Sequence, residues 1–178
     1  MRRKKGGVRV LGIDLSLRAT GLVVLADDWG QDWSRCVHQT LGYGLAKDAP
    51  EDTRIARLHS MAVAIALFAM QHRPSHIAIE QYAFSRMASQ AHALGELGGA
   101  VKAALWRAGF PVRPVVAMSA RKVVMGVCPR NDAKRVTHLA LYRMGAPKSW
   151  TGDELDAWVV ANALLAEVGT GALVQAAR

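Results

Sequence analysis

Residues 8–26 read Val8-Arg-Val-Leu-Gly-Ile-Asp-Leu-Ser-Leu-Arg-Ala-Thr-Gly-Leu-Val-Val-Leu-Ala26, and the reading of this stretch decides the fold class. Residues 8–15 and 20–26 are two apolar, β-branched runs joined by a short polar turn, the pattern of an antiparallel strand pair. Residues 33–43 alternate less cleanly and are predicted as a third strand. The apolar period then changes. Ile55, Leu58, Ala62, Ile65 and Ala69 recur at three-and-four spacing, so 51–72 is predicted as an amphipathic helix closed by Pro74. Further on come a strand at 76–81, a long helix at 87–108 stopped by Gly109 and Pro111, and a strand at 112–117. A helical turn at 119–126 and helices at 132–144 and 154–168 complete the chain. The order βββ-α-β-α-β-α-α describes an α/β domain with a mixed sheet whose later strands are joined by helical crossovers.

Four carboxylates stand where burial alone would not put them. Asp14 interrupts the first strand between apolar neighbours, and Glu80 closes Ile77-Ala-Ile-Glu80. An ionised carboxylate near a sheet's centre is costly unless paired or bound to a cation. Each acid taken singly is also compatible with an exposed strand end accepting backbone hydrogen bonds. On the last helix, Asp153 and Asp156 are three apart and share a face that continues through Val160 and Ala163 into the core. Thr151 and Glu154 match a capping box and Asp153 suits the helix dipole, which leaves Asp156 without a capping role. Two strand acids with an i, i+3 acid pair are the set a two-metal phosphodiesterase requires. Carboxylate oxygens suit Mg²⁺ or Mn²⁺, with two ions per site activating water and stabilising the leaving oxygen.

The totals favour a polyanionic partner. With 178 residues the chain fits one domain, and 23 Lys and Arg against 14 acids give a net charge of +9. Such an excess points to nucleic acid. The longest apolar run, Met61-Ala-Val-Ala-Ile-Ala-Leu-Phe-Ala-Met70, reads as a core helix, since a membrane span needs roughly 18 residues or more. No membrane partner is expected. Met1-Arg-Arg-Lys-Lys-Gly-Gly7 reads as a basic flexible tail rather than a signal peptide, with 8–178 as a single domain in a cytoplasmic protein. Cys36 and Cys128 lack metal or CxxC spacing and are expected to be reduced. The six histidines show no ligand-like spacing, and none is assigned to chemistry.

Taken in order, Gly12-Ile-Asp-Leu-Ser-Leu-Arg-Ala-Thr-Gly21, Ile79-Glu-Gln-Tyr-Ala-Phe84 and Asp153-Glu-Leu-Asp-Ala157 resemble the three acidic motifs of the RuvC-type Holliday junction resolvases. The resemblance spans nearly all of 8–168, and Leu94-Gly-Glu-Leu-Gly-Gly-Ala-Val101, Arg121-Lys-Val-Val-Met-Gly126 and Lys134-Arg-Val136 extend it. It implies a ribonuclease-H-like five-stranded sheet with strands one to three antiparallel, and metal ligands at Asp14, Glu80, Asp153 and Asp156. It further implies a homodimer that nicks four-way junction DNA symmetrically, leaving 5′-phosphate and 3′-hydroxyl ends; whether branch-migration machinery is a further partner stays open in the sequence. The Arg-Arg-Lys-Lys leader, Cys128-Pro-Arg-Asn131 and an aromatic one position late at Phe84 depart from the family pattern and bear on cleavage-sequence preference.

Secondary features carry two readings each. Arg121, Lys122, Arg130, Lys134 and Arg135 form either a phosphate-contacting cluster or a solvated charged face. Tyr82 and Phe84 either stack on opened bases or, for Tyr82, pack in the core. Ala91, Gly95, Gly98 and Gly99 make a small-residue stripe, for a dimer interface through Ala91, Gly95 and Gly99 or for packing on the sheet. Three rival functions remain at this point: a RuvC-like nuclease acting on structured RNA, a single-lobe actin-like ATP-binding module, and a non-catalytic junction-binding protein.

Overall fold

The computed structural model describes residues 7–29, 32–46, 48–81 and 88–169. Five strands, β1 (Arg9–Asp14), β2 (Ala19–Ala26), β3 (Val37–Gly42), β4 (His76–Glu80) and β5 (Val112–Val115), form one sheet in the order β3-β2-β1-β4-β5. β2 pairs antiparallel with both β1 and β3, and β4 and β5 run parallel to β1. Pro114 is tolerated because β5 is an edge strand.

Period-two alternation gives the sheet two apolar faces. Leu11, Ile13, Leu22, Val24, Ile77 and Ile79 pack against α1 (Glu51–His72) and α2 (Ala88–Arg107). Val10, Val23, Leu25 and Ala78 pack on the other face against α5 (Gly152–Val168), with α3 (Ala117–Met125) and α4 (Ala133–Arg143) covering α5. Lying between sheet and helices, α5 is buried continuously from Glu154 to Leu164. Helix α1 is long and apolar enough, by length and composition, to cross a membrane. Here one side of it is core, through Met61, Ala62, Ile65 and Ala69, while Ile55, Val63, Leu67 and Met70 are exposed. Ile55 shares the face of Ala62 and Ala69 but lies N-terminal to the part of it that is buried.

Two other expectations need correction. Residues 33–43 are not one strand. The Asp32 side chain accepts from Ser34 N at 3.1 Å and starts a 3₁₀ turn, Trp33–Arg35, so pairing begins at Val37. The strand predicted at 112–117 ends at Val115, and a nine-residue helix begins at Ala117 instead of a turn at 119. Ala, Met, Arg and Lys are good helix formers and carry the helix back to Ala117.

Candidate active site

Alternation along two parallel strands builds the floor of the site. With Leu11 and Ile13 directed at α1 and α2, the intervening Gly12 and the terminal Asp14 face α5; with Ile77 and Ile79 directed likewise, Ala78 and Glu80 face α5. Ile13 pairs with Ile79, so Asp14 and Glu80 follow side by side at the strands' C-terminal ends.

The other two acids come from α5. Thr151 Oγ1 accepts from Glu154 N at 3.2 Å while Glu154 Oε2 accepts from Thr151 N at 2.8 Å, a reciprocal cap that fixes the helix start. Asp153 then sits in the first turn and Asp156 one turn on, along the same side. Two glycines set the depth of the helix. A Cβ on Gly21 would collide with the Asp153 carbonyl, and one on Gly12 would meet the Ala157 carbonyl and come within 2.7 Å of Ala161. Without side chains there, the first turns of α5 lie directly on β1 and β2, which brings its acids to the strand acids. From β3, His38 Nδ1 lies 3.0 Å from Glu154 Oε1 and Thr40 Oγ1 lies 2.7 Å from Thr151 Oγ1, holding the same turn. The His38 ring rests on Trp150, whose edge meets Trp33, and Trp33 stacks on Trp158 at 4.8 Å.

Three cationic or imidazole groups converge on the most buried acid. Asp156 is 2 % exposed, and its oxygens lie 2.6 Å from Lys134 Nζ, 3.2 Å from His138 Nε2 and 3.4 Å from an Arg121 terminal nitrogen. Burial alone would raise its pKa, but His138 and Lys134 hold it below the ordinary carboxylate value. The remaining three acids behave oppositely. Burial, reinforced by Glu80 and Asp156, pushes Asp14 up to about 8. Burial raises Glu80 and Asp153 as well, each with repulsion from Asp156 added. Partial burial disfavours the Lys134 charge, but Asp156, Asp14 and Asp153 outweigh it and raise the Lys134 pKa.

Of the basic residues expected to contact phosphate, Arg121 and Lys134 thus join the acid cluster. Lys122 and Arg130 are exposed, and Arg135 is exposed with its guanidinium 3.1 Å from Asp132. Tyr82 and Phe84 lie outside the described residues. Ala91, Gly95 and Gly99 form an exposed stripe on α2, with nothing within 4 Å of a Cβ on either glycine, so packing on the sheet does not explain them. His138 was assigned no chemistry from the sequence, yet it touches Asp156. The available signal was its position four after Lys134, which puts both on one face of α4.

Among the described residues, no three His, Cys, Asp or Glu side chains are drawn into a metal-coordinating group. The donor chemistry nonetheless fits hard divalent cations. All four groups are carboxylates, three of them have raised pKa values, and bound positive charge would relieve the repulsion responsible in part.

These shifts have a consequence for stability. With the folded pKa of Asp14 raised from 3.8 to about 8, the folded state keeps a proton that the unfolded chain releases between those values. Stability of the metal-free protein is therefore expected to fall as pH rises through that window. Asp156 has the opposite sign, and its contribution is lost only below the ordinary carboxylate range. Thermal denaturation in chelator should give a Tm lower at about pH 8 than at about pH 5 by at least a few degrees, taking roughly 2–4 °C per kcal/mol. Adding Mg²⁺ should restore much of the difference at the higher pH. A flat Tm across the window would mean that Asp14 ionises freely in the fold.

A mixed β3-β2-β1-β4-β5 sheet with acids at the ends of β1 and β4 facing an acid-bearing helix defines the ribonuclease-H-like class of nucleases. The family model described as crossover junction endodeoxyribonuclease RuvC matches residues 10–161, and the chain belongs to that family. It is similar to the crossover junction endodeoxyribonuclease RuvC of Geobacter sp. (strain M21), at 28% identity over 172 residues, covering 95% of this chain and 99% of the relative. The corresponding protein of Paraburkholderia phymatum is 30% identical over 150 residues, covering 83% of this chain and 79% of its own. In fold it is similar to T. thermophilus RuvC, solved in complex with Holliday junction substrate, with a TM-score of 0.66 at 23% identity over 92% of this chain and 97% of that one. The yeast mitochondrial Holliday junction resolvase also aligns, with a TM-score of 0.56 at 15% identity over 89% of this chain and 78% of the other.

Proposed function

We propose that this chain is a Holliday junction resolvase, a structure-selective DNA endonuclease that makes paired symmetric nicks in four-way junctions. The observation that carries the reading is the meeting of Asp14, Glu80, Asp153 and Asp156 on one side of the sheet, within a member of the family. Those four carboxylates are the ligand set for two divalent ions, Mg²⁺ or Mn²⁺, which when bound supply a nucleophilic water and charge stabilisation of the leaving oxygen. The protein's own part is positional. The strand acids are fixed by the β1–β4 register, and the helix acids by the Thr151–Glu154 cap and the glycine contacts. Arg121, whose Nε is buried without a hydrogen-bond partner among the described residues, keeps its guanidinium beside the acids, with a terminal nitrogen 3.4 Å from Asp156. Lys122, Arg130 and Arg135 supply exposed positive charge for the flanking backbone.

Cleavage assays on a synthetic four-way junction, a linear duplex of matched sequence and a structured RNA test the reading. Junction cleavage that needs Mg²⁺ and spares the duplex supports it. Preferential cutting of the RNA would move the protein to an RNA-processing role.

Two symmetric cuts call for two sites, and a closed two-fold dimer provides them. The open α2 stripe of Ala91, Gly95 and Gly99 is the surface we assign to it, since absent side chains allow a second helix to approach. Gly95→Arg should shift the protein toward monomer in sedimentation while leaving its far-UV spectrum unchanged. A variant that remains dimeric would place the interface elsewhere.

A further inference from the structure

Beside the acid cluster, α4 and its N-cap line a groove of about 560 Å³ to which none of the four clustered acids contributes. Its inner end is shared with the site: Lys134 and His138 line the groove and both touch Asp156. Arg135 lines its rim, paired with Asp132 and largely exposed. Leu139 and Tyr142 line the outer part, 45% and 38% exposed. Single exposed apolar residues are ordinary on protein surfaces. Here, however, Lys134, His138 and Tyr142 follow one another at intervals of four along one face of the helix, with Leu139 beside them. A rise of 1.5 Å per residue puts Tyr142 about 12 Å from Lys134 along the helix axis.

The groove therefore joins two cations, Lys134 paired with Asp156 at its inner end and Arg135 paired with Asp132, to an aromatic and an aliphatic side chain about a nucleotide's length away. This combination suits a single nucleotide better than a base pair. A phosphate is met by the cations, and a base finds a flat apolar partner that it lacks once it has left the duplex stack. We infer that the α4 groove is a subsite for one unpaired nucleotide of the cleaved strand, flanking the scissile phosphate. In it the base lies against Tyr142 and Leu139 and the backbone near Lys134 and Arg135. The inference rests on the reading of the acid cluster as a nuclease centre, because that reading puts a DNA strand at the groove's inner end. Opening of base pairs at the junction point supplies the unpaired nucleotide, so the groove would favour branched over linear DNA.

The test uses full-length Asp14→Asn protein, which binds without cutting, and four-way junctions carrying 2-aminopurine at successive positions on either side of the cleavage point. Fluorescence of the bound complex is compared with that of the same protein also carrying Tyr142→Ala or Tyr142→Phe. The expected result is one probe position, within two nucleotides of the cut, whose fluorescence changes with Tyr142→Ala and not with Tyr142→Phe. Junction affinity should fall about tenfold for Tyr142→Ala, less for Leu139→Ser and hardly at all for Tyr142→Phe, with linear-duplex affinity unaltered. Tyr142 and Leu139 are exposed, and unchanged melting temperatures would show that the variants fold. Tight junction binding with no probe position responding to Tyr142→Ala would overturn the subsite while leaving the nuclease reading in place. Absence of junction binding by Asp14→Asn protein would overturn that reading, and the subsite with it.

Discussion

Asp14→Asn is expected to lower junction cleavage by at least about a thousandfold while changing junction affinity by no more than a few-fold. Asp14 lies at the end of the central strand next to Glu80, and its pKa is raised by Glu80, Asp156 and Asp153 after burial, so it sits where all four acids act on one another. An amide there keeps the shape and one oxygen donor but removes the negative charge that the proposed divalent-metal site would need. Losing one well-placed electrostatic contact commonly costs on the order of 10²–10³ in rate, and a carboxylate proposed as a metal ligand should cost at least as much. Binding should survive because Lys122, Arg130 and Arg135 are not among the charges that act on Asp14 and remain exposed. The same substitution should stabilise the metal-free protein near neutral pH, because it removes a carboxyl whose ionisation the fold opposes. Single-turnover cleavage, filter binding and thermal melting on one preparation separate the three effects. Undiminished cleavage would remove Asp14 from the metal site, and a large loss of both binding and melting temperature would make its role structural.

Gly21→Val is expected to destabilise the fold by about 3 kcal/mol or more and to abolish cleavage in whatever protein remains folded. The added Cβ runs into the backbone carbonyl of Asp153, with Glu154 N only 2.8 Å away, and no side-chain rotation relieves a collision with backbone. Either β2 shifts away from β1, breaking a register that runs from Arg9↔Ala26 to Asp14↔Gly21, or the first turn of α5 lifts off the sheet. Overpacking of this kind typically costs 1–3 kcal/mol where neighbours can adjust, and more where they cannot. The second route carries Asp153 and Asp156 away from Asp14 and Glu80, so activity falls even where stability is recovered by osmolyte. Urea denaturation gives the stability change, and cleavage in stabilising osmolyte gives the activity. A variant of near-normal stability and activity would show that α5 does not sit against β2 as closely as Gly21 requires.

The parts of this fold that were legible in the sequence are those set by local period. The β1–β2 pair, α1 and α2 were found to within one or two residues because alternation in the first and three-and-four spacing in the others report burial directly. Asp14, Glu80 and Asp156 stood out as charges on faces that are otherwise apolar, whereas Asp153 also reads as an ordinary first-turn acid and is singled out only by its i, i+3 spacing to Asp156. The misreadings arose where side chains compete with the backbone or where packing decides. Asp32 turns the chain into a 3₁₀ segment before β3, which an averaged strand propensity does not register. Ile55 has helical spacing but lies near the N-terminal end of α1, before its buried part begins at Met61, and it is 55% exposed. The electrostatic partners were the least legible. Lys134, His138 and Arg121 reach Asp156 from two other helices across 18 to 35 positions of sequence, and no spacing rule connects them. Likewise Gly12 and Gly21 could be read as motif residues, but the reason for them, the α5 backbone lying directly on the strands, belongs to the tertiary structure.

The most direct test of a metal-dependent, symmetric junction resolvase is the position and chemistry of the cuts in one synthetic four-way junction. Each of the four strands is end-labelled in turn, and the products are sized with Mg²⁺ or with chelator and then treated with DNA ligase. The expected result is cleavage in Mg²⁺ only, at matching positions on two opposed strands, leaving 5′-phosphate and 3′-hydroxyl ends that ligase reseals into two duplexes. Cuts at unrelated positions, ends that do not reseal, or equal cleavage in chelator would contradict it.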